Sequence, residues 1–600
     1  MPKTIKAISA ILFMAFIAFQ YLVRDASLVA YMPKGSVKHR VGDLNPLPHI
    51  VMVVVDDLGS HDLGLHGTGI HTPNIDGFVT GPSADGMYLD EYYVLPYCSS
   101  TRAALLSGMY PLRTGVHKII GMKSTEGLPL NIETLPEMLK RARTKPAVHS
   151  SKEESLPYQN HAVGKWHVGH SSWNQTPTFR GFDSFFGYYM GRAGYFTHSA
   201  REAVDLHYDR EPQCGEGCSE IIDERGNYST HVFTREAIKI VQNHAKKFGT
   251  ESDSPAPLFL YLAYQAVHCP PDVPPEYSAL YEKHNFWNEE RRDYAGMLTA
   301  ADEGVGNLTL ALKESGLWEN TLIIVTTDNG GPTTVGCAQG SSNFPKRGGK
   351  CSLWEVGTTG DAILAGPALK NLLSQSTFSS PIATKAHTTT GTGGFSDVCP
   401  ASTLHRFQHL FHVVDWFPTL AEWVGVVPLN QSLMDGISQA KALADGETGG
   451  PARTELFGGY VQLSNEESST GSTWWGPSIR HLNWKLIQGF SGGPDFDNNW
   501  PTGTETIIPP GDHEYYENTS APLSSNYLLF DLEKDPKEEE NLSEVYPEVL
   551  EKMVKKLKLY KKSFTYPHND DERCPFLGFV KAPGIGKAWC VLPSCCDVST

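Results

Sequence analysis

The sequence predicts an α/β protein with a large, mixed but mostly parallel sheet flanked by helices, followed by a smaller C-terminal α+β subdomain. Three short runs support this prediction, each with an unbroken apolar stretch at its centre: Pro48–Val55, Pro257–Tyr264 and Asn320–Thr327. Continuous apolar runs of this length are typical of strands that are buried on both faces of a parallel sheet. Helical patterns such as Tyr294–Thr309 lie between them and supply the layers that cover the sheet.

Composition narrows the functional classes. The chain has 600 residues, of which 40% are hydrophobic, and this is enough for one large α/β domain and a smaller one. Its formal net charge of −17 argues against nucleic acid as a partner, because nucleic-acid binding needs a basic face. A site for an anion must therefore be built locally, from a few cations that converge on one point.

The first 30 residues have the pattern of a targeting segment. Lys3 and Lys6 precede the apolar run Ala7–Val23, which ends at Arg24. We expect a cleaved signal peptide, and the length of the run leaves a single-span signal anchor as the alternative. Either way the chain is expected to enter the secretory pathway and to be lysosomal or extracellular. It would be membrane-anchored if the segment is not cleaved.

Polar side chains follow two of the three predicted strands. Asp56 and Asp57 come directly after the first run, and Asp328 and Asn329 come directly after the third. Ligand-binding groups collect at the carboxyl ends of parallel strands, and neighbouring carboxylates repel unless a cation lies between them. An all-oxygen set suits calcium or magnesium better than zinc. The sequence therefore predicts one divalent cation, although Asp56-Asp57 alone also fits a solvated turn.

The stretch Leu95–Pro111 places a cysteine and an arginine at the start of a predicted helix. Cys98 and Arg102 are four residues apart, so on a helix they share one face. Pro96 precedes the pair and an apolar run follows, which puts Cys98 near a helix N-terminus, where free N–H groups favour anions. Arg102 adds a planar cation suited to an oxyanion. Without further context, the pair also fits a buried cysteine and a surface arginine.

Further basic side chains are predicted at the same edge of the sheet. Lys165 and His167 alternate at a strand end, so in an extended segment they share a face and point towards a common anion. His268 follows the second predicted strand, and Lys350 lies in the Gly-rich turn Arg347–Gly357. Each of these residues, taken alone, also fits a structural or surface role.

Together these motifs resemble those of the sulfatase family. Cys98-Ser-Ser-Thr-Arg102, followed by Leu105-Leu-Ser-Gly108, resembles the signature Cys-x-Pro-Ser/Thr-Arg followed by x-x-Leu-Leu-Thr-Gly. Gly164-Lys-Trp-His167 and Ser352-Leu-Trp-Glu355 are similar to other family motifs. The resemblance is closest to the arylsulfatase B-like, N-acetylgalactosamine-4-sulfatase group, and it implies the alkaline phosphatase-like fold of sulfatases. One position departs from the pattern, because the family's central proline is Ser100 here.

The resemblance implies hydrolysis of a sulfate ester on a sulfated small molecule or a glycosaminoglycan-like polysaccharide. It implies that the formylglycine-generating enzyme oxidises Cys98 to formylglycine, the catalytic aldehyde of the family. The implied ligands of the cation, preferably calcium with magnesium as the alternative, are Asp56, Asp57, Cys98 as formylglycine, Asp328 and Asn329. The implied catalytic residues are Cys98, Arg102, Lys165, His167, His268 and Lys350, with His167 as the base.

Cysteines and glycosylation motifs agree with the secretory pathway. The chain has eleven cysteines, and without Cys98 an even number remains, as expected if the others form disulfides in an oxidising compartment. The pairing cannot be derived from the sequence. Asparagines in Asn-x-Ser/Thr acceptor motifs are Asn174, Asn227, Asn307, Asn430, Asn518 and Asn541.

Four parts of the chain are expected. They are the targeting segment 1–30, a catalytic domain 46–426, a smaller subdomain 427–565 and a Cys-rich tail 566–600. Residues 145–158, 192–231 and 372–404 are unlike the family and are predicted to be a surface insertion, a variable loop at the rim of the pocket and a flexible loop.

Two other functions stay open at this point. A phosphate or phosphonate ester hydrolase of the same superfamily would share the metal site and even the formylglycine. An inactive, glycan-binding homologue is suggested by Ser100, although the intact metal and lysine positions argue against it.

Overall fold

The computed structural model describes most of the chain after its first 45 residues. The described residues are 46–81, 84–143, 156–201, 203–249, 255–285, 287–333, 340–374, 405–446, 449–463, 473–489, 526–562, 579–581 and 589–591. The predicted targeting segment and most of the predicted insertions 145–158 and 372–404 lie outside them. Within the described residues, no helix is both long and apolar enough to cross a membrane.

Twenty strands are present in the described part of the chain. They are β1 His49–Val55, β2 Met87–Leu89, β3 Tyr92–Tyr93, β4 Gln159–Lys165, β5 Ser184–Tyr188, β6 Ser199–Ala200, β7 Ala203–Val204, β8 His207–Asp209, β9 Ser219–Ile221, β10 Leu258–Ala263, β11 Thr321–Thr327, β12 Ala362–Ala365, β13 Arg406–Phe407, β14 Phe411–His412, β15 Glu455–Leu463, β16 Thr473–His481, β17 Trp484–Gln488, β18 Tyr527–Asp531, β19 Phe579–Lys581 and β20 Trp589–Val591.

The same residues contain twelve α-helices and several short 3₁₀ turns. The helices are α1 Pro73–Asp76, α2 Cys98–Ser107, α3 Pro111–Thr114, α4 Leu135–Leu139, α5 Ser229–Phe248, α6 Pro275–Ala279, α7 Glu289–Glu314, α8 Glu355–Thr358, α9 Pro367–Ser374, α10 Trp416–Trp423, α11 Ala440–Asp445 and α12 Pro547–Lys561.

The main sheet is mixed and mostly parallel, as the sequence predicts. Over the described residues it has ten strands in the order β13-β2-β12-β11-β1-β10-β4-β5-β8-β9. The central strands β11, β1, β10, β4 and β5 are parallel neighbours, and antiparallel strands extend both edges. The three predicted apolar runs are β1, β10 and β11, and they lie side by side at the centre. Their carboxyl ends therefore open at one edge.

The apolar continuity of β1 has a direct structural reason. Ile50, Met52 and Val54 belong to the hydrophobic core on one face of the sheet, whereas Val51 and Val53 belong to the core on the other face. Because helices cover both faces, every position of the strand must be apolar. The amphipathic helices α5 and α7 pack against the second core.

The C-terminal part forms a small α+β unit, as expected. Strands β15, β16, β17 and β18 make an antiparallel sheet in sequence order, and α12 packs against it. In the sequence, residues Ser478–Ile487 alternate between apolar and polar and so predict one antiparallel strand. This prediction is wrong, because β16 ends at His481 and β17 begins at Trp484. The turn between them uses Leu482 at a φ of 55°. The domain boundaries at 426 and 565 remain predictions.

Residues 192–231 are more ordered than the expected variable loop. Strands β8 and β9 extend the main sheet by antiparallel pairing, and a disulfide joins Cys214 to Cys218. Two short strands from the C-terminal tail, β19 and β20, pair with each other, and β20 pairs in parallel with β7. The tail therefore contributes backbone hydrogen bonds to the segment 192–231.

Candidate active site

The predicted metal ligands meet at the carboxyl ends of β1 and β11. These strands are parallel and in register, with Val55 opposite Thr327, so the next residues along each chain, Asp56 and Asp328, stand side by side. The N–H of Asp57 donates to Oδ1 of Asp328 at 3.3 Å. All three carboxylates are at most 1% exposed. Strand register thus produces the cluster that the sequence predicts.

Asp57 leaves the strand in a left-handed conformation. Its φ is 60°, which is uncommon for a residue other than glycine and is typical of constrained functional positions. Its Oδ1 accepts from Nδ2 of Asn329 at 2.6 Å. The turn after β1 and the turn after β11 are therefore joined through their side chains.

Cys98 lies at the first position of α2 and is fully buried. Tyr97 precedes it in an extended conformation, and Thr101 ties the helix start to the incoming chain by accepting from the N–H of Leu95 at 3.0 Å. The helix ends at Gly108, whose φ of 69° lies in the left-handed region. Burial raises the pKa of the Cys98 thiol above its ordinary value. An unmodified Cys98 is therefore a neutral thiol at physiological pH.

Arg102 lies one turn after Cys98 and directs its donors into the protein. Its Nε donates to Oδ2 of Asp328 at 2.9 Å, and its Nη2 lies 2.8 Å from the same oxygen as an ion pair. Its Nη1 donates to the carbonyl of Lys165 at 3.1 Å. Burial opposes the charge of Asp328, but Arg102 and the nearby lysines together outweigh it, and the pKa of Asp328 falls below its ordinary value. The guanidinium therefore links the helix, β11 and the end of β4.

Lys165 and His167 enter the site by different routes. Lys165 is the last residue of β4, and its Nζ lies 2.5 Å from Oδ2 of Asp56. His167 has a φ of 58°, so the expected extended alternation is wrong at this residue. A left-handed turn brings its Nδ1 to 3.3 Å from Sγ of Cys98. The two residues nevertheless share the site.

The contacts of His167 determine its tautomer. Its Nε2 lies 3.1 Å from the carbonyl of Ile120, and this partner can only accept, so Nε2 carries the proton. Burial and the neighbouring Lys165 lower the pKa of His167 far below its ordinary value. The ring is therefore neutral, and the lone pair on Nδ1 faces residue 98.

His268 and Lys350 complete the cluster around Asp57. Backbone pairing brings His268 there, because the N–H of Val267 donates to the carbonyl of Asp56 at 2.7 Å. Nδ1 of His268 donates to the carbonyl of Cys269 at 2.8 Å, which leaves Nε2 facing Oδ2 of Asp57 at 3.7 Å. Burial lowers the pKa of His268 to about 3.

Lys350 forms a close ion pair with Asp57, with 2.5 Å between Nζ and Oδ1. Burial opposes both charges, but this ion pair and the other charges of the site together outweigh it. The pKa of Asp57 therefore lies well below its ordinary value, and that of Lys350 well above. Asp56 behaves differently, since burial and the nearby Asp328 raise its pKa to about 7. The cluster thus brings the pKa of Asp56 close to neutral pH, where its carboxyl group can gain or lose a proton.

The oxygen atoms of the site suit a cation. In the described part of the chain, Oδ1 of Asp56, Oδ2 of Asp57 and Oδ1 of Asn329 are buried acceptors without a hydrogen-bond partner. Buried acceptors of this kind are costly unless a proton or cation satisfies them. Asp56, Asp57 and His268 also place their possible ligand atoms within 4.8 Å of one another. Carboxylate and amide oxygens are ligands of hard divalent cations.

Comparison with known proteins agrees with this geometry. The family model described as Sulfatase matches residues 48–426, which is more than half of the chain. The chain belongs to the sulfatase family. Over 547 residues this sulfatase is 31% identical to arylsulfatase J of Mus musculus, covering 88% of the chain and 79% of the relative. It is 26% identical to arylsulfatase A of Homo sapiens, covering 86% of the chain and 87% of the relative.

A solved structure shares the fold. The sulfatase superimposes on Ps i-CgsB in complex with k-i-k-neocarrahexaose with a TM-score of 0.62 and 25% identity, covering 87% of this chain and 94% of that one. The protein is therefore a sulfuric ester hydrolase, as the sequence predicts, and family membership implies a formylglycine and a divalent cation. The narrower prediction of a 4-sulfatase remains a prediction.

Two contacts of the sulfatase site could not be predicted from the sequence. Gly191 packs against His167, and a Cβ atom there would lie 2.7 Å from the ring. The carbonyl of Ile120 fixes the same ring from the other side. The glycine is visible in the sequence, but no motif indicates which side chain it approaches.

The expectation that all cysteines except Cys98 pair is wrong. Among the described cysteines, Cys98 and Cys351 carry free thiols, whereas Cys214, Cys218 and Cys269 are disulfide-bonded. Cys351 follows Lys350 and has a φ of 67°. The even number of remaining cysteines does not show that one of them, Cys351, carries a free thiol beside Lys350.

Proposed function

We propose that this sulfatase removes sulfate from a sulfated sugar, such as a unit of a glycosaminoglycan-like polysaccharide. Ps i-CgsB, at 25% identity, was solved in complex with a neocarrahexaose, which supports an oligosaccharide substrate. A second relative is N-acetylgalactosamine-6-sulfatase of Mus musculus, at 29% identity over 53% of this chain and 57% of that protein. The position of the sulfate on the sugar is left open.

The balance of charge in the site supports an anionic substrate. Asp56, Asp57 and Asp328 supply three negative charges when ionised, and three buried cations, Arg102, Lys165 and Lys350, already offset them. A divalent cation then leaves a local excess of two positive charges, which attracts the singly charged sulfate ester and balances the sulfate dianion that hydrolysis releases. This balance is the observation that carries the proposal, because the rest of the chain is acidic.

We propose calcium as the cation, with magnesium as the alternative. Asp56, Asp57, Asp328 and Asn329 would hold it, together with residue 98. When bound, the cation supplies a Lewis acid that draws electron density from a substrate oxygen. Arg102 orients this set, since it binds both Asp328 and the carbonyl of Lys165.

We propose that Cys98 is converted to formylglycine by the formylglycine-generating enzyme. The hydrated aldehyde supplies two hydroxyl groups on one carbon, which a thiol does not. His167 is placed to hold a proton from the group on residue 98, because its neutral Nδ1 faces that atom. Lys165 and Lys350 stabilise charge on the sulfate oxygens, and His268 contacts the sulfate or the leaving group.

The remaining sequence-based predictions are proposed with this function. The segment 1–30 directs the chain into the secretory pathway, with a lysosomal or extracellular destination. The catalytic domain spans 46–426, the smaller subdomain 427–565 and the tail 566–600.

A panel of substrates tests the function. We expect sulfate release from one or a few defined sulfated saccharides and from an aryl sulfate, with much slower turnover of the phosphate ester of the same phenol. Faster phosphate release would favour the phosphate ester hydrolase. Binding of sulfated saccharides without any sulfate release would favour the inactive homologue.

Mass spectrometry of the peptide that contains residue 98 tests the modification. Ser100 is the third residue of α2, where a helix tolerates proline, so Ser100→Pro restores the signature without a clash with the helical backbone. We expect partial conversion in the natural sequence, and a rise in both the formylglycine fraction and the activity in the variant. Thiol alone at residue 98, in a preparation that still releases sulfate, would contradict the proposal.

A further inference from the structure

The segment Arg347–Glu355, which carries Lys350, is anchored to the active site by its backbone. The N–H of Lys350 donates to the carbonyl of Gly331 at 3.2 Å. The N–H of Cys351 donates to the carbonyl of Pro96 at 2.9 Å. Gly331 follows the metal-site turn and Pro96 precedes Cys98. These two hydrogen bonds fix the position of the Lys350 backbone relative to the metal-site turn and to Cys98.

On its other side, both ends of this segment are held by one residue of the C-terminal subdomain, Glu538. Its Oε2 accepts from the N–H of Glu355 at 2.6 Å. Its carbonyl accepts from Nη1 of Arg347 at 3.2 Å. The guanidinium of Arg347 lies 3.8 Å from the centre of the Trp354 ring, which keeps the segment compact.

A buried lysine completes this clamp. Nζ of Lys485 lies 3.0 Å from Oε2 of Glu355 and 2.7 Å from Oε1 of Glu538, and none of the three side chains is more than 3% exposed. Tyr93 and Arg480 contact the other oxygen of Glu355. An ion pair so fully withdrawn from water is costly to break at one partner, so it holds its segments in one arrangement.

Glu538 is also held in an unfavourable backbone conformation. Its φ is 57°, in the left-handed region that is unfavourable for a residue with a Cβ atom. Asp535 supports this turn, since its two carboxylate oxygens accept from the N–H groups of Glu539 and Glu540 at 3.0 and 2.9 Å. Strain that is maintained by its surroundings is often found at functional positions.

We propose that Glu538 and Lys485 are positioning residues for Lys350, so that the C-terminal subdomain is part of the catalytic apparatus. Neither residue touches the site. They act through the Arg347–Glu355 segment, which fixes where the ammonium group of Lys350 meets the sulfate. This inference rests on the role proposed above for Lys350.

A double-mutant cycle in the full-length enzyme tests the inference. We expect Glu538→Ala to lower kcat/KM at least about tenfold, because small displacements of a catalytic group are costly. In a Lys350→Ala background the same change should add almost nothing, since its effect passes through the missing ammonium group. Glu538→Gln keeps an acceptor for the N–H of Glu355 and should lose less activity than Glu538→Ala.

Asp302 provides a matched control. It is a buried carboxylate whose Oδ1 accepts from a backbone N–H, that of Ile75, at 2.7 Å, far from the Lys350 segment. Asp302→Ala should therefore change kcat/KM by the same factor with and without Lys350. Inhibition by inorganic sulfate gives a second readout, and Glu538→Ala should weaken it as Lys350→Ala does.

Each outcome decides a separate point. An equal loss from Glu538→Ala in both backgrounds, or no loss at all, would overturn the positioning role. If Lys350→Ala itself leaves kcat/KM unchanged, the proposed role of Lys350 is wrong, and the inference falls with it. If Glu538→Ala yields too little folded protein, Lys485→Met takes its place in the same cycle and is judged by the same criterion.

Discussion

Two buried charge clusters in this chain differ in how completely their polar atoms are bonded. In the first, Asp415 accepts from Nε and Nη2 of Arg453, from the N–H of Ile437 at 2.8 Å and from the N–H of His412 at 2.9 Å. In the second, Asp56 and Asp57 each keep one buried oxygen without a hydrogen-bond partner in the described part of the chain. Both clusters are almost completely removed from water.

The difference separates a structural ion pair from a functional site. The carboxylate of Asp415 and the guanidinium of Arg453 have all their hydrogen-bond partners within the protein, so this pair needs no ligand and contributes only to the arrangement of the elements around it. The Asp56 cluster places three carboxylates together and leaves acceptors open, so its full stabilisation requires something that the chain does not contain. A buried site that is incomplete on its own indicates function.

The largest expected effect comes from removing a carboxylate of the Asp56 cluster. Asp328→Ala should lower turnover by a factor of about a thousand or more, because it removes a proposed metal ligand and releases Arg102. The folded state should survive, since Arg102 keeps a second carboxylate, that of Asp56, 3.6 Å from its Nη2. Steady-state kinetics and circular dichroism check this. An active Asp328→Ala enzyme would contradict the assignment of the metal site.

The Asp415 cluster should respond in the opposite way. Asp415→Ala leaves Arg453 buried without its partner and should lower the free energy of unfolding by about 3–5 kcal/mol. The kcat of the molecules that remain folded should be unchanged. Urea denaturation, combined with kcat per folded molecule, measures both. If Asp415→Ala lost activity but kept the stability of the unchanged protein, the two clusters would not differ in the way described above.

The two site lysines should show intermediate effects. Lys165→Ala and Lys350→Ala should each lower turnover by about a hundredfold or more, on the order of 3 kcal/mol, as for other groups that stabilise transition-state charge. Arg453→Ala tests the Asp415 cluster and should instead lower the free energy of unfolding. Near-normal kinetics in both lysine variants would remove them from the catalytic set.

Metal dependence distinguishes the clusters without measuring turnover. Calcium at about 100 times its Kd should stabilise the chelator-treated protein by about 2.7 kcal/mol. The stabilisation should disappear in Asp328→Ala and persist in Asp302→Ala. Thermal denaturation with and without calcium checks this. Full activity after chelation, or recovery with zinc alone, would contradict a site for a hard cation.

A further expected effect is a pH dependence of the free energy of unfolding of the chelator-treated protein. The pKa of Asp56 is about 7 in the fold, against an ordinary value of 3.8. Between these values the folded chain holds a proton that the unfolded chain has released, so stability should fall as pH rises from about 4 to 7. Asp56→Asn should flatten this slope in urea melts. An unchanged slope would show that Asp56 does not titrate in this range.

The sequence predicts the parts of the site that depend on strand ends. Asp56 and Asp328 could be placed together because adjacent parallel strands end at one edge. Lys165 and Lys350 could be assigned only through the family resemblance, since a lone lysine has no positional signal. Glu538 and Gly191 escape prediction because their roles depend on contacts between segments far apart in sequence.

Local irregularities also escaped prediction. The turn after β16 places Leu482, rather than its neighbour Asn483, at a positive φ, so the alternating pattern predicts one strand where the structure has two. The left-handed conformation of His167 escaped prediction for the same reason, because a histidine in a sequence rarely indicates a positive φ. Tertiary contacts impose both conformations, and they outweigh local propensity.

The complete burial of Cys98 makes its maturation a matter of timing. Arg102 and its partner Asp328 are 226 residues apart, so the cluster that encloses Cys98 cannot close until that length of chain has been made. At about 5–20 residues per second, synthesis leaves an interval of roughly 10–50 s. If Cys98 is oxidised as proposed, oxidation and folding compete as two rates, and slower recognition of the Ser100 sequence would matter less when folding is slower. The yield of active enzyme would therefore rise when folding is delayed, for example at lower temperature, without any change in sequence.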